Sequence, residues 1–121
     1  MDQPLGLVGS IRGIAMGGVV DYLVAWGPAL AVQGWAADTV HRRLPDCVLV
    51  FAGRRLLAAG PPMLKRPDIA LIYSAAVEPA GFRFGVPMAQ ERAKRLASRR
   101  AVRVFAVLGH RASELPLAAA R

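Results

Sequence analysis

The residues able to do chemistry are few in this sequence, and they are scattered. Two histidines, His41 and His110, stand in loop-like surroundings, and neither has a metal-ligand neighbour at i+2, i+3 or i+4. Zinc requires three or four nitrogen, sulfur or oxygen ligands, and Cys47 is the only cysteine. Within the apolar run Cys47-Val48-Leu49-Val50-Phe51 it reads as a small buried hydrophobe rather than a nucleophile. The serines Ser10, Ser74, Ser98 and Ser113 occur in no nucleophile-elbow context. The glycine-rich start is not followed by the Gly-Lys-Ser/Thr of a phosphate-cradling loop. Acids at the paired spacing of general acid–base catalysis are absent. These residue types predict no catalytic site, no metal and no cofactor.

Positive charge is the chemistry that is plentiful. Fourteen arginines and two lysines face eight acids, for a net charge of +8. Arg92, Lys94, Arg95, Arg99 and Arg100 crowd into nine residues, and Arg42-Arg43, Arg54-Arg55 and Lys65-Arg66 add three dibasic pairs. A field of that sign attracts nucleic acid, anionic lipid or acidic protein. Phosphate contact needs only such charges, but the aromatic groups on which single-stranded bases stack are missing around the cluster. The five residues from Arg92 to Arg100 are therefore expected to meet a protein partner or a larger assembly. A glycan, a membrane surface or a membrane complex stand behind that reading, and nucleic acid is disfavoured. Composition points the same way. A hydrophobic fraction of 55% and a mean hydropathy of +0.36 are high for a soluble monomer. Neutral polar residues are scarce, with Thr39 the only threonine and no asparagine. A partner covering part of the surface accounts for both.

The elements that must position these charges read as strands. A length of 121 residues suits one domain. Val20, Tyr22 and Val24 alternate with Asp21 and Leu23, and Trp26-Gly27-Pro28 turns the chain into a second strand from Leu30 to Ala37, closed by Asp38. After the basic loop His41 to Pro45, residues 47–52 and 54–59 form a hairpin about Gly53, which can supply a positive φ. Asp68 is placed to cap a short helix over residues 68–74. Phe82, Phe84 and Val86 alternate cleanly, Glu91 to Arg100 allows one or two helical turns, and Val102, Val104 and Ala106 mark the next strand. Gly109-His110 turns into a last strand through Leu117. About seven short strands separated by turns predict an all-β, immunoglobulin-like sandwich with one short helix. Its core is expected to hold Val20, Tyr22, Val48, Val50, Phe82, Phe84, Val102 and Val104. The domain is expected over residues 18–117, between an irregular lead-in (1–17) and a tail (118–121).

Three segments carry a resemblance: Gly34-Trp35-Ala36-Ala37-Asp38, Arg66-Pro67-Asp68-Ile69-Ala70 and Ala80-Gly81-Phe82. Their order is similar to that of the small immunoglobulin-like sandwich domain appended to bacterial glycosyltransferases and sulfotransferases. The closing Val102-Arg103-Val104-Phe105-Ala106 and Ala112-Ser113-Glu114-Leu115-Pro116-Leu117 look similar as well. The resemblance implies a non-enzymatic accessory module in a glycan-related context and supplies no catalytic residues. From the residues themselves, Asp38, Arg66 and Asp68 are expected to organise a structural corner, with Asp38 a candidate for bidentate pairing with Arg66. Trp35 is expected to pack against the sheet.

The acidic start Met1-Asp2-Gln3-Pro4 lacks the basic region of a secretory signal, so a cytoplasmic location is expected. Residues 13–37 are long enough to span a bilayer and carry only Asp21. Gly17-Gly18, Gly27-Pro28 and Gly34 break that stretch, and a carboxylate at its middle is costly, so no spanning helix is expected.

Overall fold

The computed structural model describes residues 16–119. Seven antiparallel strands lie in two sheets. Strands β1 (Met16–Ala25), β2 (Ala29–Asp38) and β5 (Gly81–Pro87) form the first sheet in the order β1-β2-β5. Strands β3 (Cys47–Ala52), β4 (Arg55–Gly60), β6 (Arg103–Leu108) and β7 (Arg111–Leu115) form the second in the order β4-β3-β6-β7. Helix α1 (Pro67–Ile72) and a 3₁₀ segment (Ala75–Ala80) separate β4 from β5, and α2 (Gln90–Ser98) separates β5 from β6. β1 begins at Met16, inside the stretch expected to be an irregular lead-in; the rest of that lead-in and the last two residues lie outside the described residues.

Alternation explains the sandwich. Val20, Leu30, Val32, Ala36 and Phe82 face inward from the first sheet, and Val48, Val50, Val104, Ala106 and Leu115 face them from the second. Burial of these apolar rows is the main stabilising contribution, at about 25 cal/mol per Å² removed from water. Glycines open the two-residue hairpins: Gly53 (φ 60°) leads from β3 to β4, and Gly109 (φ 64°) from β6 to β7. A turn with glycine at its first central position matches the twist of the flanking strands.

Two expected core residues depart from the pattern. The register of β1 against β2 slips between Val20 and Tyr22, so Asp21 is an extra residue without a partner on β2. Such a bulge turns every following side chain to the opposite face. Tyr22 therefore points outward opposite Gln33 and is 50% exposed. Phe84 is only half-buried at the margin of the core, its ring 5.9 Å from that of Phe82.

The charged stretch 91–100 is more than a pair of turns projecting from a loop. α2 buries Ala93, with Leu96 and Ala97 packed on the main core, and lies against β1 and β2. One helical face closes the sandwich and the other carries the charges.

Candidate docking face

The outer faces of the two sheets differ. On the second sheet, Leu49, Phe105 and Ala112 form a small buried cluster with Cys47, Phe51 and Val107 packed around it. Arg103 covers it, with its guanidinium carbon 5.1 Å from the centre of the Phe105 ring. That guanidinium donates to both carboxylate oxygens of Glu114, at 3.1 and 2.8 Å. A cation over an aromatic face and a bidentate pair hold the arm flat. The Phe105 ring of this face is thereby shielded by Arg103.

Among the described residues, the first sheet is covered at one end by α1 and the 3₁₀ segment. There Ala37, Ile69, Val77 and Ala80 make a second core beneath α1 and the 3₁₀ segment, with Trp35 and Leu44 at its edge. Ser74 starts the 3₁₀ segment by accepting a hydrogen bond from the Ala76 N–H at 3.1 Å. Beyond that cover Tyr22 and Val24 stand open on β1, and Trp26 is 75% exposed at the β1–β2 turn. On the other side of the cover, Leu71 is 89% exposed at the end of α1, next to Ile72. Tyr73 follows, its ring 5.9 Å from that of Trp35.

A groove of about 360 Å³ runs between β1 and α2. Asp21, Tyr22, Leu23 and Val24 line one wall, and Ala97, Ser98, Arg100, Ala118 and Ala119 line the other. The structure thus brings the arginine-bearing helix beside the open apolar residues of β1. Of the five cations expected at a partner surface, Lys94, Arg95 and Arg99 are exposed and Arg92 is half-buried. Arg100 has a different task. It adopts a positive φ of 51° just beyond α2, and its guanidinium donates to the Ala118 carbonyl. It tethers the C-terminal segment to the helix as well as lining the groove.

The expected corner divides into two. Asp38 does not meet Arg66. It is 1% exposed, accepts hydrogen bonds from the Val40 and His41 N–H groups at 3.2 and 3.0 Å, and pairs with His41 Nδ1 at 2.9 Å. Burial pushes its carboxyl upward, but the backbone and imidazole bonds of His41 outweigh that and hold it below the usual range. Arg66 instead donates to both oxygens of Asp68, at 3.0 and 2.8 Å, and to Asp21 Oδ2 at 3.2 Å. The bulge that exposes Tyr22 also turns Asp21 out to meet this arginine. Nor does Asp68 cap α1. Pro67 takes the first helical position, where its missing N–H costs nothing, so Arg66 occupies the N-cap without a side-chain cap bond. Asp68 sits inside the first turn, its carboxyl lowered chiefly by the Arg66 hydrogen bonds.

Sequence reasoning missed the burial of the Ala93-Leu96-Ala97 face. Its i, i+3, i+4 spacing was present as a signal, masked by the charges between. No protein-family model matches the chain, no curated protein matches it, and no solved structure matches it. Among the described residues, no helix is long and apolar enough to cross a membrane.

Proposed function

We propose that the chain is a non-catalytic binding module that docks onto a larger protein assembly. One observation carries this reading: the groove between β1 and α2 sets the exposed Tyr22 and Val24 beside a helix bearing Lys94, Arg95 and Arg99. Exposed apolar residues beside a cation-bearing helix suit a protein surface whose own apolar patch is bordered by acids. A second copy of the chain is a poor occupant, because +8 would meet +8. Nucleic acid is disfavoured too, since Tyr22 is the only aromatic among the described residues that line the groove. The strand order β1-β2-β5 over β4-β3-β6-β7 supports an immunoglobulin-like wiring, and the sequence resemblance supports a glycan-related context for the assembly.

The test compares capture of host proteins by the wild type, by Tyr22→Ser/Val24→Ser and by Arg95→Glu/Arg99→Glu. Partners lost with both variants, while melting temperatures stay within a few degrees, support the docking face. Partners retained by both variants sink it. Sedimentation of the purified protein separately reports self-association, which would assign the face to a second copy.

A further inference from the structure

The two histidines are distant in sequence, but the fold brings them to one recess of about 320 Å³. It is lined by Asp38, His41, Arg43, Leu108, Gly109, His110 and Arg111. Two rigid loops build it. In the first, Asp38 and Arg43 exchange backbone hydrogen bonds of 2.8 and 3.1 Å, and Asp38 Oδ1 takes the Val40 and His41 amides. In the second, the Gly109 N–H donates to Asp46 Oδ2 at 2.8 Å, pinning the β6–β7 hairpin tip. Fixed loops lose little freedom when a ligand arrives.

The lining chemistry selects the ligand's charge. Metal binding would need additional nitrogen, sulfur or carboxylate donors, and no group of three or more such residues suited to a metal occurs among the described residues. Arg43 and Arg111 instead add permanent positive charge beside the imidazoles. Among the described residues of the lining, Asp38 is the one acid, buried and already bonded to two amides and one imidazole nitrogen. Because its Nδ1 is held by Asp38, His41 keeps Nε2 as the nitrogen left to meet a ligand. Guanidinium groups match the oxygens of a phosphate or sulfate in geometry as well as in charge. The volume is at the small end of ligand pockets, which suits a single ester group.

We propose that the loop from Asp38 to Arg43 and the Gly109-His110 hairpin tip together bind a tetrahedral oxyanion carried as a monoester, of the phosphate or sulfate class. The test follows backbone amide resonances of the ¹⁵N-labelled protein during titration with inorganic phosphate and inorganic sulfate, chloride holding the ionic strength constant. Saturable shifts confined to residues 38–43 and 108–111 are expected. His110→Gln and Arg43→Gln should each weaken binding by about tenfold, the loss expected for one charged hydrogen bond. Both residues are exposed, so melting temperatures should hold. Parallel titrations with p-nitrophenyl phosphate and p-nitrophenyl sulfate distinguish the two ester types, and saturation by either supports the site. Shifts that spread to α2 without saturating, equal binding by acetate, or undiminished affinity in His110→Gln would each overturn it.

Discussion

Asp38 ends β2 as a buried carboxylate, and its oxygens shape the loop that follows. Replacing it with alanine leaves two amides and an imidazole without their acceptor, so Asp38→Ala should destabilise the fold by roughly 1–3 kcal/mol at neutral pH. The carboxyl is held below its ordinary value in the folded state. Its contribution is therefore complete above the unfolded value of about 3.9 and is lost as pH falls through the lower folded value. Urea unfolding across that acidic range should show the wild type converging on the variant. A gap that stays constant down to the lowest pH would contradict this account. Phe82 gives a second contrast at this scale. It is 2% exposed while Phe84 is only half-buried. Phe82→Ala should cost about 3–5 kcal/mol, and Phe84→Ala distinctly less, measured by the same unfolding method. Equal losses would mean that the bulge and sheet margin do not divide the core as described.

Among the elements, β2 is the central strand of the first sheet, flanked by β1 and β5. A Cβ at Gly34 would fall 2.1 Å from the Val19 carbonyl oxygen and 2.9 Å from Phe82 Cζ. Backbone cannot retreat there without disturbing the bulge opposite, so Gly34→Ala should cost at least the usual 1–3 kcal/mol of overpacking. A calorimetric melting temperature matching the wild type would refute the close approach. Legibility in the sequence also divides at this scale. The alternation of Phe82, Phe84 and Val86 and the glycines of the two hairpins revealed strands directly, because period two and positive φ are local properties. Tyr22 misled because a bulge is set by how β1 pairs with β2, and its own sequence continues to alternate. The buried face of α2 is hard to read because it rests on two alanines and one leucine amid six polar or charged neighbours in strand-rich surroundings. The recess at His41 and His110 was not readable at all, since each histidine reaches it from a different loop.

For the whole molecule, charge governs association more than folding. Exposed cations interact over a screening length of about 10 Å at 0.1 M salt, so docking through the β1–α2 face should weaken steeply as salt rises. Folding stability should barely follow, because surface ion pairs contribute about 0–1 kcal/mol each. Parallel salt series of partner affinity and of urea midpoint check this, and an affinity insensitive to salt would remove the helix from the interface.

The stretch from Pro116 to Ala118 also lies alongside β1. Val20 N–H donates to the Pro116 carbonyl, the Ala118 N–H donates to the Val20 carbonyl, both at 2.9 Å, and Val20 and Leu117 form a parallel bridge. Parallel neighbours pulled from opposite ends slide past one another and cannot peel apart bond by bond. Tension along the chain must therefore break both bonds together, and Arg100, anchored on Ala118, shares the load. A module tethered between two larger bodies would resist stretching at this seam before its sheets separated. Val20→Pro removes one of the two bonds, so single-molecule pulling should record a lower rupture force for that variant than for Val20→Ala.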